Sequence, residues 1–396
     1  MDSRLLVVSS VSDDPFAIDV AHFFGQTAEI ADLISLKRFA NTEVCPRFIS
    51  DERDYGNVGN RLQGMTVIIV STCCGNHTRN ALAMRNCLVG RAAKDNGAEH
   101  VVLVEPDLYY SAQDRGPRPD HGTVDFERSS DDYKKFDGQP FSSRLYAQLL
   151  QTSGVDEVVT IHNHSVAVER LFADVFEGRF HNLSPASLYA DYLVSDTIDG
   201  VVGKPAGVVL CAPDEGAAAF VRSIYDAIMS ASESMLLTPS VGMLFMQKRR
   251  SGERRVEIRP VSDSPVQLDS LTGHDVIVFD DMVRTGYTIM ECCTKLKEAG
   301  ARRVVFVVTH FHSSDEVKEN LNTPAIDEII TTNTLPAILN RDMQGRLRKK
   351  MLVLKIEKWI ARFLLDRFGL HHPVTTPPLY AIDMSSKNRR TARSTR

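Results

Sequence analysis

Short apolar runs recur along the chain, with amphipathic stretches between them. The runs are Leu5–Val8, Thr66–Val70, His100–Val104, Glu157–Ile161, Gly207–Leu210, Val241–Met246, Val276–Phe279 and Val304–Val308. Each has the length of a strand, and a continuous apolar run of that length reads as a strand covered on both faces of a parallel sheet. The alternation with helical patterns predicts an α/β fold with mostly parallel sheets. Two stretches break the pattern. Arg115–Gln139 is polar, with Pro, Gly, Asp and Lys throughout, and predicts a long surface loop or an insertion. The segment 371–396 contains Pro373, Pro377 and Pro378 and a basic Ser/Thr-rich end, and predicts a disordered tail. Just before it, Lys355 to Phe368 is amphipathic and should dock on a domain.

A length of 396 residues suggests two domains. With 43% hydrophobic and 24% charged residues, the chain has ample material for sizeable cores. The net charge of −5 supplies no global basic field, so neither nucleic acid nor a membrane surface is an expected partner. The 7 cysteines show no paired metal spacing, and free thiols in a reducing, cytoplasmic setting are the simplest reading. The start, Met1-Asp2-Ser3-Arg4, runs straight into a strand-like segment without the apolar core of a signal peptide, and no apolar stretch has membrane-spanning length.

The chemistry concentrates in loops that follow the apolar runs. After Val276–Phe279 come two adjacent carboxylates, Asp280 and Asp281, then Arg284-Thr285-Gly286-Tyr287-Thr288 and an amphipathic segment. A loop that opens a helix aims backbone N–H groups at one point and suits a phosphate, while paired carboxylates accept from ribose hydroxyls. Earlier, Arg38-Phe39-Ala40-Asn41-Thr42-Glu43 offers an aromatic face for a purine, with Asn41 and Glu43 to bond its edge. Tyr110–Arg115 follows the run ending at Val104, where α/β folds place ligands. His162 and His164, at i and i+2 on a strand end, should point to one side. Pro213-Asp214-Glu215-Gly216 is a common turn sequence. Gln247–Arg255 is a basic run fed by a strand, which suits a mobile cationic flap over a triphosphate.

Taken in order, these blocks resemble the ribose-phosphate pyrophosphokinase (PRPP synthetase) family over roughly residues 4–368. The loop at 280–288 alone is also similar to that of phosphoribosyltransferases. The resemblance implies two similar phosphoribosyltransferase-like α/β domains, each a mostly parallel sheet flanked by helices. The first would span 1–153, completed by a C-terminal helix at 352–369; the second would span 154–345, with the active site in the cleft between them. It further implies transfer of pyrophosphate from ATP to the C1 hydroxyl of ribose 5-phosphate, giving PRPP and AMP. ATP would lie on Phe39, Asn41, Glu43, Gln113 and Asp114, and ribose 5-phosphate on Asp280, Asp281, Thr285, Gly286 and Thr288. Lys248 and Arg250 would be catalytic, and His164 and Asp214 would hold Mg²⁺. The family's adenine site at a subunit boundary implies a homo-oligomer. The Lys-x-Arg-x-Gly-Glu-x-Arg spacing at 248–255 looks most like the plant-type branch.

Four positions depart from the pattern. Ala112 stands where the family has Arg, His162 where it has Asp, Arg284 where it has a third acidic residue, and Tyr287 where it commonly has Gly. They leave two other readings open: a non-catalytic regulatory homologue, and a phosphoribosyltransferase that consumes PRPP.

Overall fold

The structure is a computed structural model that describes residues 5–49, 55–124, 126–194, 207–234, 240–250, 256–370, 380–385 and 389–391. The chain folds as two units: Met1–Leu183 with Glu357–His372, and Ser184–Ile356 with Pro373–Arg396.

The first unit contains β1 (Leu5–Ser9), β2 (Ile34–Arg38), β3 (Val44–Phe48), β4 (Thr66–Val70), β5 (His100–Val104), β6 (Glu157–Ile161) and β7 (Phe180–Leu183). Five of them form one parallel sheet in the order β1-β4-β5-β6-β7. Its central strands are fully buried, which is why their sequences are uninterrupted Val, Ile and Leu. β2 and β3 form a separate antiparallel hairpin. The boundary expected at residue 153 is wrong. Ser153 and Gly154 only turn the helix Ser142–Thr152 into β6, and β6 pairs with β5 through Val102↔Glu157. β7 then pairs with β6, so the first sheet closes at Leu183.

The second unit contains β8 (Val208–Ala212), β9 (Val241–Arg250), β10 (Val256–Pro260), β11 (Asp275–Val283), β12 (Arg303–Phe311), β13 (Glu328–Thr332), β14 (Met351–Lys355), β15 (Tyr380–Asp383) and β16 (Arg389–Thr391). They form one sheet in the order β10-β9-β8-β11-β12-β13-β14-β15-β16. From β9 to β14 the pairing is parallel; β10, β15 and β16 join antiparallel at the edges. After β8 the chain moves outward to β9 and β10 and returns as β11 on the other side of β8. The order therefore reverses between β8 and β11, the position at which open α/β sheets hold ligands.

Two further expectations change. β14 belongs to the second sheet, so the helix that completes the first unit begins at Glu357 and not at 352; it packs on the helix Pro15–Phe24, with Lys358 Nζ 4.8 Å from the Phe23 ring centre. The C-terminal segment is not wholly disordered. Tyr380-Ala381-Ile382 continues the sheet on β14, and Ala381 and Met384 are buried. A short apolar run inside a basic, Pro-rich composition covers an otherwise open sheet edge.

Candidate functional site

In the second unit, the acidic residues converge where the strand order reverses. β11 does not stop before its two carboxylates, as the apolar run suggests, but carries them on to Val283, pairing Asp280 with Val308 and Met282 with His310. The Asp280 carboxylate accepts from the Asp281 N–H at 3.0 Å, and the Asp281 carboxylate from the Met282 N–H at 2.7 Å. Asp214 follows β8 and is held by its turn, accepting from the Ala217 N–H at 3.3 Å. Burial, then the negative charge of Asp281, and then that of Asp214 push the Asp280 carboxyl well above the usual carboxylate range. Three predicted residues thus share one electrostatic neighbourhood.

Beyond the pair, Gly286 starts the helix Tyr287–Glu298 at φ +78°, a conformation that favours glycine. A Cβ there would meet Leu321 side-chain atoms at 3.1 Å. No side chain caps this helix and no acidic residue occupies its first turn, so its dipole is left for an anion. Asn320 Nδ2 donates to the Thr285 carbonyl at 2.8 Å and fixes the loop, a support that nothing in the local sequence announces. Arg284 and Tyr287, the two departures, are both exposed. The Thr-rich ends of β12 and β13 meet: Thr332 Oγ1 donates to the Thr309 carbonyl at 2.7 Å, and His310 Nδ1 lies 3.0 Å from Thr334 Oγ1. The backbones of Lys248 and Arg250 lie on β9, opposite Ile258 and Val256. Their side chains and residues 251–255 lie outside the described residues.

In the first unit, Phe39, Asn41 and Glu43 occupy the tip of the β2–β3 hairpin. The Phe39 ring is 44% exposed, with Lys37 Nζ 5.2 Å from its centre. Asn41 Nδ2 donates to Glu43 Oε2 at 2.8 Å, so the two expected edge readers are pre-aligned on each other. The loop after β5 hangs on Glu105, which is fully buried and accepts from the Tyr109 N–H at 2.5 Å, Tyr146 Oη at 2.6 Å and Asn86 Nδ2 at 2.8 Å. Burial pushes its carboxyl up to about 8. From this anchor the chain reaches Gln113, which is exposed, and Asp114, whose Oδ2 accepts from Ser165 Oγ at 2.6 Å. Asp114 is thereby tied to the loop that carries His164.

The two histidines do not alternate along a strand. β6 ends at Ile161 and His162 turns into the left-handed region at φ +44°, while His164 is exposed. Thr42 (φ +74°) and Tyr110 (φ +61°) share that conformation, so each expected loop of the first unit has one non-glycine residue in it. His164 belongs to the first unit and Asp214 to the second. Among the described residues, no three His, Cys, Asp or Glu side chains group to hold a metal.

The expected surface insertion is folded around a cation. Arg128 donates to Asp132 at 2.7 Å and to the carbonyls of Gly116, His121 and Arg118 at 2.8, 3.1 and 3.2 Å. Arg115 donates to Asp132 at 3.1 Å and to Asp114 at 3.3 Å. Its charge is therefore committed to these carboxylates and does not replace the guanidinium missing at Ala112.

No helix among the described residues is long and apolar enough to cross a membrane. The chain resembles known proteins over most of its length. The Phosphoribosyl synthetase-associated domain matches residues 255–363. A ribose-phosphate pyrophosphokinase of Corynebacterium efficiens is 28% identical over 341 residues, covering 85% of each chain. Ribose-phosphate pyrophosphokinase 4 of Saccharomyces cerevisiae is 26% identical over 72% of this chain and 73% of its own. The crystal structure of phosphoribosylpyrophosphate synthetase from Mycobacterium smegmatis has the same fold, with a TM-score of 0.68 at 23% identity over 93% of this chain and 99% of its own. The chain is thus similar to ribose-phosphate pyrophosphokinases along most of both lengths, and it shares the fold of the mycobacterial synthetase.

Proposed function

We propose that the protein is a ribose-phosphate diphosphokinase: it transfers pyrophosphate from ATP to the C1 hydroxyl of ribose 5-phosphate, giving PRPP and AMP. The observation that carries the reading is the acidic group Asp214, Asp280 and Asp281 at the strand-order reversal, followed at once by the Gly286 helix start. The carboxylates orient the ribose hydroxyls and the backbone of Thr285–Thr288 cradles the 5′-phosphate. The purine of ATP stacks on Phe39 with its edge on Asn41 and Glu43, and Gln113 and Asp114 hold the ribose-triphosphate side. The C1 oxygen attacks the β-phosphorus; an O–P bond forms there, the α–β anhydride bond breaks, and AMP leaves. Lys248 and Arg250 neutralise the charge that develops on the transferring group, so the work is positioning and electrostatics.

Mg²⁺ suits carboxylate oxygen donors such as those gathered here. Such an ion keeps waters and takes only one or two carboxylates from a protein, and the raised Asp280 carboxyl marks a site where negative charge gathers. Asp214 would hold it in the second unit, and it would supply charge neutralisation at the phosphates. The exposed Phe39 hairpin suits completion by a second copy in a homo-oligomer, and seven free thiols suit a cytoplasmic enzyme.

The test is AMP and PRPP formation from ATP, ribose 5-phosphate and Mg²⁺, with Lys248→Ala as control. Removing one transition-state cation should lower turnover at least about a hundredfold, on the scale of an arginine finger. Near-normal turnover in that variant removes Lys248 from catalysis. A second reading, a regulatory homologue without turnover, is favoured by Ala112, Arg284 and the left-handed His162. It predicts a thermal shift with ATP and no AMP release.

A further inference from the structure

The polar segment that follows Asp114 has no part in the chemistry so far, yet both of its ends are fastened to Gln113 and Asp114. At its start, Arg115 donates from Nε to Asp114 Oδ1 at 3.3 Å and from Nη1 to Asp132 Oδ1 at 3.1 Å. At its end, Ser143 donates from its N–H and its Oγ to the Gln113 carbonyl at 3.4 and 2.8 Å. A connection of this length is usually either functional or disordered, and this one carries a helix of its own, Ser130–Lys135.

Asp132 is the joint of this segment. It is 8% exposed, and while its Oδ1 takes Arg115, its Oδ2 takes Arg128 Nε at 2.7 Å. Both guanidinium groups also sit on the Phe136 ring, 5.0 Å and 5.6 Å from its centre. An arginine in a surface loop ordinarily samples many rotamers. Arg115 instead is fixed by a ring and by two carboxylates, and its planar fork passes the orientation of one carboxylate to the other. Asp114 Oδ2 accepts from Ser165 Oγ at 2.6 Å, so each oxygen of Asp114 has a partner and the side chain has one orientation. Ser165 Oγ in turn accepts from the Ala167 N–H at 3.2 Å as the cap of the helix Val166–Val175. The relay from Arg128 through Asp132, Arg115 and Asp114 to Ser165 thus joins the loop after β5 to the loop after β6.

We propose that Arg115 and Asp132 are positioning residues for the nucleoside triphosphate, and that the folded segment exists to set the orientation of Asp114. The inference rests on the reading of Gln113 and Asp114 as nucleotide ligands. Arg115 and Asp132 act through Asp114 and touch no ligand themselves. The arrangement favours geometry over charge as their role. A cation placed to attract a triphosphate would keep its charge free, whereas a buried carboxylate opposes that of Arg115 from the side away from Asp114.

The test measures kcat and both KM values of the full-length protein, with calorimetric titration of ATP beside them. Arg115→Lys keeps the charge, but an ammonium cannot span both carboxylates. It should raise the KM for ATP about tenfold, the scale of one hydrogen bond to a charged group, and leave that for ribose 5-phosphate unchanged. Asp132→Asn frees the charge of Arg115. Attraction alone would then tighten ATP, whereas lost positioning weakens it by a similar factor. Arg144→Gln is the control: it breaks the 3.5 Å ion pair to Asp120, in the same segment but off the relay, and should leave both KM values as in the parent. An unchanged KM for ATP in Arg115→Lys overturns the proposal, as does a lowered one in Asp132→Asn or an equal rise of both KM values in all three variants. Arg115 is partly exposed, so Arg115→Lys decides alone should Asp132→Asn fail to fold. ATP that binds the parent without turnover sinks only the diphosphokinase reading, and the same variants then decide by ATP affinity. No ATP binding to the parent overturns both.

Discussion

Replacing Asp280 with Asn should stabilise the protein while removing its activity. The carboxyl of Asp280 is raised by burial and by the charges of Asp281 and Asp214, so the folded state holds its proton more tightly than the unfolded chain. A raised carboxyl makes stability fall as pH rises from the unfolded value, about 3.9, through the folded one. The Asp280→Asn side chain would keep the local hydrogen bonds: its Oδ1 can accept from the Asp281 N–H, now at 3.0 Å, and its amide can donate to the Asp281 carboxylate. The substitution therefore removes like-charge repulsion without orphaning a partner. Relief of this kind at a functional site contributes about 0.5–2 kcal/mol. For a unit of 150–250 residues, that is a rise in Tm of roughly 1–8 °C. The assay is thermal unfolding in metal-free buffer from about pH 4, near the unfolded value, to about pH 8. The gap between variant and parent should open as pH rises and vanish at the acid end. Turnover should fall at least about a hundredfold, because a ribose-orienting carboxyl is gone. A lower Tm for Asp280→Asn than for the parent at the alkaline end, or a gap independent of pH, would refute the electrostatic account.

Other perturbations test other parts of the fold. Gly286→Ala forces a Cβ into the left-handed region and against Leu321, and should cost about 1–3 kcal/mol while raising the KM for ribose 5-phosphate more than that for ATP. Equal effects on both KM values would argue against the phosphate-cradle role. Burial opposes ionisation of Glu157, but His100, His181 and Arg367 outweigh it and hold its carboxyl well below the usual range. Its contribution is thus complete above the unfolded value, about 4.3, and is lost as pH falls toward the folded one. Its partners are partly exposed, so Glu157→Gln should cost about 2–3 kcal/mol at neutral pH, below the usual cost of breaking a fully buried pair, with a loss that shrinks under acid unfolding. Arg128→Ala removes the donor shared by three carbonyls and Asp132. Hydrogen exchange across residues 116–136 should speed up about 30- to 150-fold, the equivalent of about 2–3 kcal/mol, while the global Tm changes little.

What could be read from the sequence follows from where each piece of information is stored. A strand buried on both faces must be apolar throughout, so β4, β5 and β12 announce themselves. The hairpin β2–β3 does not, because it is half-wet and short, with Pro46 in its second strand. Its tip, Phe39–Glu43, was nevertheless legible as a motif. The split between units depends on which strands pair, and that is long-range: Glu157 is fixed by Arg367, 210 residues away. The same distinction runs through the sites. Residues that would touch ligand lie in contiguous loops and show as local patterns. The groups that hold those loops are remote: Asn320 bonds Thr285 across 35 positions, and Asp14 bonds Thr72 across 58. Backbone strain is equally hidden. Three of the four non-glycine residues with positive φ among the described residues are Thr42, Tyr110 and His162, one in each expected loop of the first unit. Such conformations cost of order 1–3 kcal/mol each and persist only where the surroundings over-determine them. Glu105 with its three donors beneath Tyr110 and the Asn182 amide beneath Asn163 are that over-determination. The departures at Ala112 and His162 fall inside these braced loops. They alter the chemistry a loop offers without slackening the scaffold, so loss of ligand binding in this chain, if measured, would trace to missing charge and not to a collapsed site.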